Sequence, residues 1–125
     1  MKMREGFHTV TPYLTSRDVD GLLTFIQSGL DGVETYRAKG GAGGVHVEVR
    51  IGDSMVMVGG GDAMQGPPST AMLLLYVEDV DSYFHRALAA GAISIQEPAN
   101  APDGERRGGV RDPFGNQWFF GGPKQ

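Results

Sequence analysis

The chain contains no cysteine. That excludes disulfide scaffolding, thiolate catalysis and every Cys-based metal site. Its three histidines, at positions 8, 46 and 85, are too scattered to read as a ligand cluster. Basic residues are the minority, 11 Lys and Arg against 15 Asp and Glu, for a net charge of −4. A general nucleic-acid binder normally shows a basic face, so nucleic acid is not an expected partner. No apolar run approaches the roughly 20 residues that span a bilayer, so no membrane partner is expected. The opening MKMREGFHTV lacks the apolar core of a secretory signal, and the expected location is cytoplasmic. No G-x-S-x-G nucleophile elbow occurs. KGGAGG (39–44) is not followed by Gly-Lys-Ser/Thr and joins two predicted strands, so it is no phosphate loop.

What remains is the composition of one ordinary globular domain, 125 residues with 40% hydrophobic and 21% charged. HTVTPYLT (8–15) alternates and predicts a strand. In the next segment Asp18 is a candidate N-cap, and Val19, Leu22, Leu23 and Ile26 fall on one helical face, ended by Gly29 or Gly32. VETYRA, VHVEVRI and SMVMV predict three further strands. GGGDAMQGPPST (59–70) breaks all periodicity and reads as a linker.

The second half repeats the order. AMLLLYVE is a strand, and a helix follows from an Asp79 cap, with Val80, Tyr83, Phe84, Ala87 and Leu88 inward. AISIQE is a strand, NAPDGERRGG a loop, and GVRD and NQWFF are strands around a turn at Asp112-Pro113-Phe114-Gly115. Asp18-Val19-Asp20 matches Asp79-Val80-Asp81 at a shift of 79 − 18 = 61, and Gly59-Gly60 matches Gly121-Gly122 at 121 − 59 = 62. The fold class is therefore α+β: two βαβββ repeats, 7–58 and 70–121, joined by a Gly/Pro linker, 59–69. Each curved sheet carries its helix on one face, and two such units predict a half-open barrel around a cavity.

This layout, with TPYL, HVEVRIGDSMVM, YVEDVD, AAGA and GERRGGVRDPFGNQW, resembles the vicinal oxygen chelate superfamily of glyoxalases, extradiol dioxygenases and fosfomycin- and bleomycin-resistance proteins. Its PhnB-like branch is the most similar. The resemblance implies a homodimer and, in metal-dependent members, a divalent ion that chelates two neighbouring substrate oxygens as a Lewis acid. It places the metal positions at Thr11, Met57, Met72 and Phe119. None of these is an ordinary ligand of a catalytic ion. Neighbouring positions (Val10, Pro12, Val56, Val58, Ala71, Leu73, Trp118, Phe120) offer none either, so a register slip does not restore a site. The expectation is no metal and no cofactor.

The expected cavity lining is Thr11, Tyr13, His46, Glu48, Met57, Met72, Tyr76, Arg106, Gln117 and Phe119, a Met-rich and aromatic set suited to a small organic molecule. His46 and Glu48 share one strand face. They read either as a solvated or edge face with cross-strand partners, or as a relocated metal or acid–base site. Arg106 reads as a surface charge or a pair with Glu105, or as an anion contact matching the branch's GDRSG pattern. Three functions stay open: a small-molecule binder, a lyase, isomerase or dioxygenase using His46 and Glu48, and an interaction module without ligand.

Overall fold

The structure, a computed structural model, describes residues 4–125. The described residues form two compact units, one of residues 4–27 and 31–70 and the other of Ser28–Leu30 and 71–125.

In the first unit β1 (Tyr13–Ser16) leads to α1 (Val19–Leu30), then β2 (Val33–Lys39), β3 (Val45–Ile51) and β4 (Ser54–Gly60). The strands form one open sheet in the order β1-β4-β3-β2, with β1 parallel to β4 and the rest antiparallel. Asp18 caps α1, its Oδ1 accepting from the Gly21 N–H at 2.8 Å. The helix ends at Asp31, which takes the left-handed conformation (φ 62°), and the Gly32 N–H returns to the Ile26 carbonyl. Val47, Val49, Val56 and Val58 are buried on one sheet face, as are Val19, Leu22, Leu23, Phe25, Ile26 and Leu30 on the helix. Gly32 lies in contact with both Ile26 and Val49, where the two surfaces meet.

The second unit repeats the plan with β5 (Met72–Tyr76), α2 (Val80–Ala89), β6 (Ile93–Asn100), β7 (Glu105–Arg111) and β8 (Gln117–Pro123). Its sheet order is β5-β8-β7-β6, again with the first pair parallel. Asp79 caps α2 through the Ser82 N–H at 3.0 Å. Gly91, at φ +112°, turns the chain out of the helix, a conformation that only glycine takes without strain. Val80, Phe84 and Ala87 are buried on α2, and Val110, Trp118 and Phe120 on the sheet.

Strand register bears out the duplication. Tyr13 pairs with Met57, and Leu74 with Phe119, at shifts of 74 − 13 = 61 and 119 − 57 = 62. Several boundaries differ from expectation. Residues 8–12 are not strand: Pro12 has no N–H to pair, and the Thr11 hydroxyl donates to the His8 carbonyl. β4 runs on through Gly60, inside the segment read as linker, because Gly59 pairs with both Thr15 and His46. Residues 105–109 of GERRGG are strand rather than loop. The Phe119 ring lies over Gly109, where an added Cβ would sit 2.6 Å from Cε1.

The RDPFGNQW stretch builds the β7–β8 connection around one buried carboxylate. Asp112 Oδ1 accepts from the backbone N–H groups of Phe114 (2.8 Å) and Asn116 (2.9 Å). Its Oδ2 accepts from Asn116 Nδ2 (3.0 Å) and Trp118 Nε1 (2.9 Å). The Asn116 Oδ1 then accepts from the Ala71 N–H, just before β5. The motif is thus a structural lock.

Candidate functional site

On the first sheet, the face opposite the valines carries Tyr13, Tyr36, Glu48 and Met57 in paired register, with His46 opposite Gly59. These residues form a connected polar array. The Tyr13 hydroxyl lies 2.8 Å from His46 Nδ1. His46 Nε2 lies 3.0 Å from Glu48 Oε2, and that oxygen also accepts from Arg4 Nε at 3.0 Å. The Arg4 guanidinium sits 4.2 Å from the centre of the Tyr36 ring, a cation–π contact.

Charge fixes the sense of the hydrogen bonds. A Glu48 paired with Arg4 is a carboxylate and only accepts, so neutral His46 carries its proton on Nε2. Nδ1 is then an acceptor, and the Tyr13 O–H donates to it. Burial, with a smaller contribution from the Glu48 charge, raises the Tyr13 phenol above its ordinary range, so the hydroxyl stays protonated at rest.

The expectation that Glu48 lies on a solvated or edge face is overturned. Glu48 is 1% exposed and β3 is an inner strand. Its partners come from the N-terminal segment and from its own strand. Arg50 does lie exposed.

The second unit lacks this array. Register places Gly109 where Glu48 stands, Arg107 where His46 stands and Leu74 where Tyr13 stands. Met72, Leu74 and Tyr76 project from one face of β5 at 70%, 45% and 75% exposure, beside Gln117 and Phe119 on β8. A hollow of about 400 Å³ at the end of β5 touches Tyr76, Glu78, Glu105 and Pro123, and Tyr76 is the one predicted site residue in it.

Arg106 sits elsewhere. Its Nε and Nη2 grip the two Asp81 oxygens of α2 at 2.6 and 3.0 Å, and Nη1 reaches Asn100. Register puts it on the Phe120 side of the sheet, away from Phe119. The pair with Glu105 belongs to Arg107, which also holds Asp103. The hydrogen bond from Arg106 holds Asp81 below the ordinary carboxylate range.

The structure therefore joins Tyr13, His46, Glu48 and Met57 in one unit, and Met72, Tyr76, Gln117 and Phe119 in the other. Thr11 lies before β1, its hydroxyl donating to the His8 carbonyl. Arg4 and Tyr36 complete the first group and were not anticipated. At the four positions where the resemblance puts a metal, the side chains do not fit a hard divalent ion. Met57, Met72 and Phe119 offer thioether and phenyl, and Thr11 offers only a neutral hydroxyl, which donates to the His8 carbonyl. Among the described residues no group of three or more His, Asp or Glu converges on one point. No described helix is long and apolar enough to cross a membrane.

A family model described as the Glyoxalase/Bleomycin resistance protein/Dioxygenase superfamily matches residues 6–120. An uncharacterized protein of Mycobacterium bovis is 35% identical over 91% of this chain and 82% of its own length. One of Mycobacterium tuberculosis is 35% identical over 91% and 74%. Among solved structures, TioX from Micromonospora sp. ML1 superposes with a TM-score of 0.74 at 26% identity, over 93% of this chain and 98% of that one. The fosfomycin resistance protein FosX of Listeria monocytogenes, solved with Mn(II) and sulfate, gives 0.71 at 16% identity, over 94% and 90%. The last likeness concerns the fold alone.

Proposed function

This chain belongs to the Glyoxalase/Bleomycin resistance protein/Dioxygenase superfamily, and from that premise we propose that it binds a small, flat or amphipathic organic molecule on its helix-free sheet faces. One observation carries the reading. Met72, Leu74 and Tyr76 stand in a row on β5 with nearly half or more of their surface exposed. A contiguous apolar patch of this kind marks a binding surface, whereas single exposed apolar residues do not. Met57 and Phe119 occupy matching places in the two units, where soft sulfur and a ring suit an apolar ligand and not a chelated ion.

The remaining parts of the reading are a PhnB-like branch, supported by the GERRGGVRDPFGNQW stretch, a homodimer with two equivalent sites, and a cytoplasmic location. Equilibrium sedimentation tests the dimer.

The binding test uses the methionine methyl groups. Protein carrying ¹³C-methyl methionine is titrated with a panel of flat aromatic compounds and followed by NMR. The expected result is saturable shifts at Met57 or Met72 while Met64 stays still. Absence of saturable shifts at both, with the protein folded, overturns the reading.

A further inference from the structure

We propose that Tyr13, His46 and Glu48 form an acid–base site, in which the Tyr13 hydroxyl exchanges a proton with a molecule bound on the same sheet face. The proposal rests on the binding reading only for where that molecule sits.

The array has the order hydroxyl, imidazole, carboxylate, at 2.8 and 3.0 Å. Each member is held in place. Glu48 is fixed by Arg4, and Arg4 by the face of Tyr36. His46 is held at both nitrogens, which selects the tautomer with a bare Nδ1. Gly59 leaves room for the phenol to reach that nitrogen. A Cβ there would lie 2.6 Å from the Tyr13 oxygen. Tyr13 itself is 46% exposed, so the outer end of the chain is open to a ligand.

The fold does not require this arrangement. The second unit has the same strand order and fills the equivalent places with Gly109, Arg107 and Leu74. A buried carboxylate is costly unless paired and hydrogen-bonded. The first unit carries that cost at Glu48 where its twin carries none.

The chemistry balances without a co-reactant. A weakly acidic proton on the ligand, from a hydroxyl or from carbon next to a carbonyl, passes to the Tyr13 oxygen. The proton already on Tyr13 passes to His46 Nδ1. The imidazolium so formed faces the Glu48 carboxylate, and the ligand becomes its conjugate base. Reversal returns both protons. Return of the proton to a different ligand atom gives an isomer. Arg4 and Glu48 neutralise each other, so the site suits an uncharged substrate. Tyr13 is the catalytic residue, and Glu48 and Arg4 are positioning residues.

The test needs no knowledge of the natural ligand. Benzenesulfonyl fluoride reacts with a phenol by forming an S–O bond and expelling fluoride, with the phenol proton taken by a base. Tyr76 is the internal control, because it is more exposed than Tyr13, 75% against 46%, and among the described residues no imidazole pairs with it. Labelling at each tyrosine is followed by peptide mass spectrometry over time. Tyr13 is expected to react at least about a hundredfold faster than Tyr76, the low end of general-base assistance. His46→Gln and Glu48→Gln are expected to bring Tyr13 down to the Tyr76 rate while leaving Tyr76 unchanged. Tyr76 reacting as fast as Tyr13 in the unsubstituted protein overturns the proposal, even if the variants fail to fold. So does a Tyr13 rate that both folded variants preserve. Neither result touches the methionine shifts, so failure here and failure of ligand binding are distinguishable.

Discussion

Replacing Asp112 with alanine removes an acceptor that serves four donors at once. Three of those bonds, to Asn116 N, Asn116 Nδ2 and Trp118 Nε1, lie in a buried setting, and the fourth, to Phe114 N, is part-buried. Trp118 and Asn116 are at most 1% exposed, so their donors have no ready access to solvent. Each buried donor left unpaired costs about 1–3 kcal/mol, which sums to roughly 3–9 kcal/mol for three. Water entering the vacated carboxylate space satisfies part of this, so the expected loss is about 3–5 kcal/mol. That is a large fraction of the ~5–15 kcal/mol that holds a domain together. Urea unfolding followed by Trp118 fluorescence measures it directly, since Trp118 is the one tryptophan. A loss under about 1 kcal/mol with an unchanged denaturant slope would refute the reasoning, because the network would then contribute no more than a surface contact.

Gly59→Ala places a methyl group 2.6 Å from the Tyr13 oxygen and 3.1 Å from its Cε1. The phenol must move, the bond to His46 breaks, and Tyr13 labelling by benzenesulfonyl fluoride should fall to the Tyr76 rate. The stability loss should stay near one hydrogen bond, about 1 kcal/mol, read from the urea midpoint. Asp81 is held below its ordinary range by Arg106, so the stability it adds is present above the unfolded value of about 3.9 and is lost as pH falls through the folded one. Asp81→Asn should therefore be less stable than the parent at neutral pH, with the gap closing under acid. Equal gaps at both pH values would contradict that assignment.

Much of the fold is legible in the sequence because it depends on local patterns. Asp18 and Asp79 announce both helices, and strict alternation announces β3 and β4. The duplication appears in shifts of 61 and 62 that the strand registers reproduce. The site is less legible. His46, Glu48 and Arg50 alternate with valines whether the polar side meets water or a buried partner, so periodicity alone cannot separate the two. Arg4 decides the matter for Glu48, and it lies 44 residues away in a segment without periodicity. A signal was available in the repeat itself. Sliding the first half onto the second sets Glu48 against Gly109 and His46 against Arg107, and such divergence within a duplicated frame marks where one copy does something its twin does not. Arg106 was misplaced because a run of Gly and charged residues reads as loop. Pairing with β8 instead makes it strand and turns that side chain to Asp81.

The measurement that bears most directly on the central claim is metal content by mass spectrometry. The protein is purified without an affinity tag or chelator and assayed before and after incubation with Zn, Ni, Mn or Fe(II). With thioether and phenyl at the positions where the resemblance puts the chelating side chains, metal is expected to stay substoichiometric throughout, unaltered by His46→Ala. A stoichiometric divalent ion that His46→Ala removes would contradict the account and make His46 and Glu48 ligands of a relocated metal centre.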